Sequence, residues 1–103
     1  MAGQYIKVAK VSNVPPGTAV MVELPQVSLA ICNVDGEFYA IENLCTHDDG
    51  PLGEGTLDGY RIQCPRHDAY FDVRTGDALT LPAILAVECF PVRIQGEDVE
   101  VEI

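Results

Sequence analysis

The chain has 103 residues, 48% of them hydrophobic and 21% charged, and its 16 acidic against 6 basic side chains give a formal net charge of −10. This length sets one domain, residues 1–103, with a single core and little room for a separate substrate pocket, and the composition excludes a disordered chain. The acidic balance excludes nucleic acid and anionic membrane surfaces as partners and suits a partner that carries a basic patch.

No apolar run approaches the roughly 20 residues that span a bilayer; residues 83–87 form a run of only five. The first residues, Met1-Ala2-Gly3-Gln4-Tyr5, lack the basic and apolar regions of a secretory signal, so the expected compartment is the cytoplasm. Its reducing conditions favour free thiols over disulfides among the four cysteines.

In chain order the sequence reads as strands. Residues 20–24 and 27–34 are rich in β-branched and apolar side chains, and Asp35-Gly36 then separates them from residues 37–41. A two-residue Asp-Gly between such runs predicts a hairpin, because both central turn positions need positive φ. Asp58-Gly59 repeats the signal between Thr56-Leu57 and residues 60–63. A third hairpin is expected where residues 90–94 and 99–103 flank Gln95-Gly96-Glu97-Asp98. No segment sustains a helical apolar period, and prolines at 15, 16, 25, 51, 65, 82 and 91 would interrupt most helices. The expected fold is all-β: an antiparallel sandwich or small barrel of short strands. Residues 43–83 differ, with short strands and long, glycine-rich loops such as residues 48–55. They read as a lobe inserted into a base formed by residues 1–42 and 84–103.

Two fragments in that lobe carry the chemistry. Cys45-Thr46-His47 and Cys64-Pro65-Arg66-His67 each pair one thiol with one imidazole, sixteen residues apart. Two sulfur and two nitrogen ligands can hold a tetrahedral zinc or an asymmetric two-iron cluster. Both histidines of the chain and two of its four cysteines fall in these pairs, which chance placement of surface histidines and core cysteines does not account for. Zinc fingers usually place two cysteines close together and two histidines on a following helix. Here each loop supplies one of each type and no helix is expected. A plant-type ferredoxin needs four closely spaced cysteines. Cys32 and Cys89 instead lie far from the pairs in apparent strands, where each is expected to be a buried free thiol. Mixed pairs suit a cluster in which one iron takes both thiolates and the other both imidazoles, so that each loop holds both irons.

Cys45-x-His47, the sixteen-residue gap and Cys64-x-x-His67 resemble the signature of Rieske proteins. The similarity extends through Asp48-Asp49-Gly50-Pro51-Leu52, Phe71-Asp72, Thr75-Gly76 and Leu81-Pro82-Ala83. The resemblance implies the Rieske fold and one [2Fe-2S] cluster, with Cys45 and Cys64 on one iron and His47 and His67 on the other, solvent-facing one. It also implies electron exit through the imidazole edges and a third loop, around Pro82, that covers the cluster.

High-potential Rieske proteins of cytochrome complexes add a cysteine to each ligand loop and join them by a disulfide. The matching positions here are Gly50 and Arg66, so that staple is absent. Those proteins also aim a Ser and a Tyr hydroxyl at the cluster, where this chain has Ala69 and Phe71. Hydrogen bonds to cluster sulfur stabilise the reduced state, so their loss lowers the potential. The expectation is a midpoint near the low end of the Rieske range, on the order of −150 mV. Asp68 stands where the family commonly has Gly. It is either a tolerated residue at positive φ, placing a carboxylate near the cluster, or a plain surface turn residue.

A chain made of little but this domain resembles the stand-alone ferredoxins of bacterial multicomponent, aromatic-ring-hydroxylating oxygenases. The resemblance implies a monomeric electron carrier rather than an enzyme. Its partners would be a flavoprotein NAD(P)H reductase and a terminal oxygenase with its own Rieske centre. Asp48, Asp49, Arg66, Asp68 and Pro82 would form the docking patch. The rival readings are a Rieske carrier tied to iron–sulfur assembly or to a nitrite-reductase-like enzyme, and a structural zinc module for protein interaction.

Overall fold

The computed structural model describes residues 4–44, 51–64, 69–79 and 86–103. Within them lie strands β1 (Tyr5–Lys10), β2 (Thr18–Glu23), β3 (Ser28–Val34), β4 (Glu37–Glu42), β5 (Thr56–Asp58), β6 (Arg61–Gln63), β7 (Tyr70–Asp72), β8 (Cys89–Phe90), β9 (Val92–Gln95) and β10 (Asp98–Glu102). Two 3₁₀ turns, Val11–Asn13 and Leu52–Glu54, are the only helical pieces among the described residues. The strands form three antiparallel sheets, ordered β1-β10-β9, β2-β3-β4-β8 and β5-β6-β7.

The four-stranded sheet is the middle layer, and β3 explains why. Its residues are buried on both faces. Leu29 and Ile31 join Ala40, Val99 and Val101 in one apolar cluster against the β1-β10-β9 sheet. Ala30, Cys32 and Val34 point the other way, into a second cluster with Leu52, Ile62 and Phe71. A strand covered on both sides keeps apolar residues at successive positions rather than at alternate ones, which is how residues 28–34 read in the sequence. Asn33 is the buried polar exception. Its Nδ2 donates to the Val14 carbonyl at 2.7 Å and its Oδ1 accepts the Gly36 N–H at 2.7 Å, so burial leaves neither end of the amide unpaired.

The three expected hairpins are present. Asp35 (φ 52°) and Gly36 (φ 91°) both take positive φ between the paired residues Val34 and Glu37, the type I′ geometry that Asp-Gly favours. The other two turns are shifted or shortened. Asp58 pairs with Arg61, so the central residues are Gly59 and Tyr60 rather than Asp58 and Gly59. Gln95 pairs with Asp98, which reduces the last turn to Gly96-Glu97. In both, glycine takes the first central position with φ near +60°, and the next residue stays at negative φ. That is the type II′ requirement, and it sets the register.

Two expectations are corrected. Residues 90–94 are not one strand: the chain breaks at Pro91, with β8 pairing β4 and β9 pairing β10 in a different sheet. Proline has no N–H for a ladder, and here it marks the crossing between layers. Cys89 is exposed, not buried. It lies on a two-residue edge strand: Phe90 packs with its partner Ala40 in the first cluster, and Cys89, on the opposite face with its partner Ile41, is left uncovered at the edge of the sheet. Cys32 is buried as expected, and burial pushes its thiol pKa up to about 12.

Candidate metal centre

Of the residues proposed from the sequence as ligands, cluster neighbours or docking residues, Cys64, Ala69 and Phe71 fall within the described residues. Cys45, His47, Asp48, Asp49, Gly50, Arg66, His67, Asp68 and Pro82 lie outside them. What the structure defines is the set of roots from which segments 45–50, 65–68 and 80–85 spring.

The second segment has the simplest root. Strands β6 and β7 pair Ile62 with Phe71 and Gln63 with Tyr70. The ladder continues one step, with the Cys64 N–H donating to the Ala69 carbonyl at 2.8 Å. Four residues, Pro65-Arg66-His67-Asp68, connect that pair. Cys64 is 1% exposed, and Ala69 and Phe71 are fully buried.

The first segment leaves from Asn43-Leu44 and returns at Pro51 and the 3₁₀ turn Leu52–Glu54. Asn43 Oδ1 accepts the Gly53 N–H at 2.6 Å, joining the two roots. Gly55 ends the turn with φ −80°. A Cβ there would sit 1.7 Å from the Gln63 carbonyl oxygen, so only glycine lets this turn lie against the end of β6, one residue before Cys64.

The third segment leaves after Leu79, whose N–H donates to the Tyr70 carbonyl at 2.8 Å. It returns at Val87, whose N–H donates to the Gly76 carbonyl at 2.8 Å. Gly76 (φ +85°) has no room for a side chain, because a Cβ would fall 2.0 Å from the Val87 carbonyl oxygen. Leu52, Cys64, Ala69 and Val87 all belong to one buried cluster, so the roots of all three segments share one piece of core. Asn43 and Gly55 stand outside the sequence motif, and no signal in the sequence marks them. Gly76 lies inside the motif, but its role emerges only from its contact with Val87.

Around these roots the surface is cross-braced. Arg74 forms a bidentate pair with Asp72 (Nη2 to Oδ2 2.9 Å, Nε to Oδ1 3.1 Å), and its guanidinium lies 4.2 Å from the Tyr60 ring centroid. Hydrogen bonding from Arg74 holds the Asp72 carboxyl below its usual pKa. The stability it contributes is present above the ordinary carboxylate range and is lost as pH falls. Arg61 pairs with Asp58 and lies 4.1 Å from the Tyr70 ring centroid. The hydroxyls of Tyr60 and Tyr39 both donate to Glu37 Oε1, at 3.0 and 3.1 Å, which ties the β5-β6 turn to β4. The Glu37 hydrogen bond raises the Tyr60 pKa, while desolvation and then Glu37 raise that of Tyr39.

A family model described as the Rieske [2Fe-2S] domain matches residues 4–91. The chain belongs to the Rieske [2Fe-2S] domain family. This Rieske domain is 36% identical over 103 residues to the ferredoxin component of the naphthalene 1,2-dioxygenase system of Pseudomonas aeruginosa, covering 100% of this chain and 99% of that one. It is 41% identical over 99 residues to the biphenyl dioxygenase ferredoxin subunit of Pseudomonas sp. (strain KKS102), covering 95% and 91%. It also matches a chain of a solved complex of reduced oxygenase and oxidized ferredoxin in carbazole 1,9a-dioxygenase. There the TM-score is 0.89 and the identity 38%, over 94% of this chain and 91% of that one.

The resident cofactor is therefore one Rieske-type [2Fe-2S] cluster, and the residues present fit it. The chain offers two thiols and two imidazoles in the motif, the donor set of a Cys₂His₂-ligated cluster. Cys64 is buried among apolar side chains.

Proposed function

We propose that this Rieske domain is a one-electron carrier of a multicomponent oxygenase system. It takes electrons from a flavoprotein NAD(P)H reductase and delivers them to a terminal oxygenase with its own Rieske centre. Cys45 and Cys64 hold one iron, and His47 and His67 the other. When bound, the cluster supplies a reversible one-electron couple. The protein's part is to fix the four ligands, to set the potential and to present a docking surface. Residues 43–83 act as the cluster-holding lobe on a base of residues 1–42 and 84–103.

The observation that carries this reading is the convergence of three loop roots on one buried cluster. Such an arrangement serves to hold a group rigidly between loops. A carrier gains from that rigidity, because a site that does not rearrange exchanges electrons with little reorganisation. A low potential follows from Ala69 and Phe71. Both are buried in the same cluster as Cys64, and neither offers a hydroxyl. Asp48, Asp49, Arg66 and Asp68 flank the ligands in sequence, and with Pro82 of the third segment they make up the docking patch. Among the described residues, no helix is long and apolar enough to cross a membrane, in keeping with a cytoplasmic carrier.

The test is electron delivery. The protein, reduced and freed of excess reductant, is mixed anaerobically with an oxidised Rieske oxygenase, and the optical spectra of both are followed. Transfer of one electron per chain is expected. Failure to reduce the oxygenase, or delivery of two electrons per chain, contradicts the proposal.

A further inference from the structure

The three segments around the centre are closed in different ways. A backbone hydrogen bond closes the second, at Cys64–Ala69, and backbone hydrogen bonds tie each end of the third to the chain at and after β7, at Leu79–Tyr70 and Val87–Gly76. The first carries Cys45 and His47. Among the described residues, no backbone hydrogen bond joins residues 42–44 to residues 51–55. The link is a side chain: Asn43 Oδ1 accepts the Gly53 N–H at 2.6 Å.

The chain of donors behind Asn43 fixes which way its amide faces. Asn43 Nδ2 donates to Ser28 Oγ at 3.1 Å, and Ser28 Oγ donates to Glu23 Oε1 at 2.9 Å. A carboxylate only accepts, so the Ser28 proton is committed to Glu23. The Ser28 oxygen is then left to accept from Nδ2. The amide oxygen must therefore face Gly53, whose backbone N–H only donates. The Asn43 N–H also donates to the Ser28 carbonyl at 2.8 Å, so both main chain and side chain of Asn43 are tied to the start of β3. Glycine at 53 is what permits the short bond. A Cβ there would lie 2.3 Å from Met21 Cγ and 3.1 Å from Asn43 Oδ1.

We propose that Asn43 is a positioning residue for the cluster: its oriented amide bridges the two roots of segment 45–50 and sets how Cys45 and His47 are held. This rests on the ligand assignment proposed above. The Glu23–Ser28–Asn43–Gly53 chain connects the edge strand β2, through three side chains, to the root of that segment.

The experiment uses the full, cluster-loaded protein. It measures cluster release under excess EDTA from the visible absorbance, the paramagnetic spectrum of the reduced state, and thermal unfolding. Loss of one hydrogen bond of ordinary strength is about a tenfold effect. Asn43→Ala is expected to release the cluster about tenfold faster and to change the paramagnetic line shape. Asn43→Asp, which still accepts from Gly53, is expected to recover most of the retention. Ser28→Ala, which frees the amide to turn, should fall between Asn43→Ala and the parent.

Asn33→Ala is the control for stability alone. It also removes an amide with two hydrogen bonds, but at the β3-β4 turn. It should lower the unfolding temperature while leaving the line shape unchanged. Parental release and line shape in Asn43→Ala overturn the inference. If that variant does not fold, parental behaviour in Ser28→Ala overturns it instead. Cys45→Ala separates the two readings: a cluster retained in Cys45→Ala defeats the ligand assignment, whereas a cluster lost there but indifferent to Asn43→Ala defeats only this inference.

Discussion

Three glycines allow the root geometry to be tested by separating two costs that glycine avoids. Gly96 has φ +62° and open space where a Cβ would go. Alanine there bears the strain of the left-handed region, roughly 1–2 kcal/mol, partly offset by about 0.4–1 kcal/mol from a less flexible unfolded chain. Gly55 has φ −80°, which any residue adopts. Its Cβ would have to move from 1.7 Å to the 3.0 Å that real contacts require from the Gln63 carbonyl. Overpacking of that kind costs roughly 1–3 kcal/mol, occasionally more. Gly76 combines both faults, φ +85° and a Cβ 2.0 Å from the Val87 carbonyl, for about 2–5 kcal/mol. At about 4–8 °C per kcal/mol for a domain of this size, the melting temperature should fall least in Gly96→Ala, further in Gly55→Ala and furthest in Gly76→Ala. Differential scanning calorimetry of the three purified proteins gives the order. Cluster retention adds a second readout, because Gln63 precedes Cys64 and Val87 ends the third segment. Gly55→Ala and Gly76→Ala should lose the cluster faster, while Gly96→Ala should hold it like the parent. Equal losses in all three, or a Gly55→Ala protein as stable as Gly96→Ala, would refute the idea that these contacts define the roots.

Four further outcomes are expected. Ala69→Ser places a hydroxyl beside Cys64 and should raise the midpoint potential by on the order of tens of mV; an unchanged value means that the side chain does not reach the cluster. Phe71→Ala empties a fully buried position on β7, facing the middle sheet, and should cost about 3–5 kcal/mol in a denaturant titration. Cys32 keeps its proton in the folded state up to about pH 12. Its contribution is therefore full below the ordinary thiol pKa and is lost as pH rises toward 12, at about 1.4 kcal/mol per pH unit while only the unfolded chain ionises. Unfolding titrations above the ordinary thiol pKa, between about pH 9 and 11, should show that slope, and Cys32→Ala should flatten it. The rate of reduction by a flavoprotein reductase should fall as ionic strength rises if charge steers docking, and a rate indifferent to salt argues against such steering.

How much of this was legible in the sequence depended on whether the signal was local. Asp35-Gly36 specified its own turn, because both residues tolerate positive φ and the flanking runs are strongly apolar. Gly59 and Gly96 marked turns but not their centres. Register there follows from which position requires positive φ, a choice that Asp58-Gly59 leaves ambiguous. Strand β1 carries Lys7 and Lys10 among its apolar residues and was not singled out by pattern alone; its pairing with β10 across the whole chain is what makes it a strand. Cys89 was misjudged because edge and centre strands look alike over two residues.

The metal site divides the same way. The ligand types and the absent hydroxyls at Ala69 and Phe71 are visible in the motif. Asn43, Gly55 and Gly76 act through partners ten, eight and eleven residues away. Nothing in their immediate neighbourhood announces those partners, and only the folded chain brings them together.

The central claim is that Cys45, His47, Cys64 and His67 hold a low-potential two-iron cluster. The most direct test is a redox titration of the purified protein, followed by the paramagnetic signal of its reduced state. The expected result is a reddish-brown protein that gives an anisotropic signal and titrates as a single one-electron couple near the low end of the Rieske range, on the order of −150 mV. A clearly positive midpoint would contradict the low-potential assignment, and a colourless, zinc-containing protein without the signal would contradict the cluster itself.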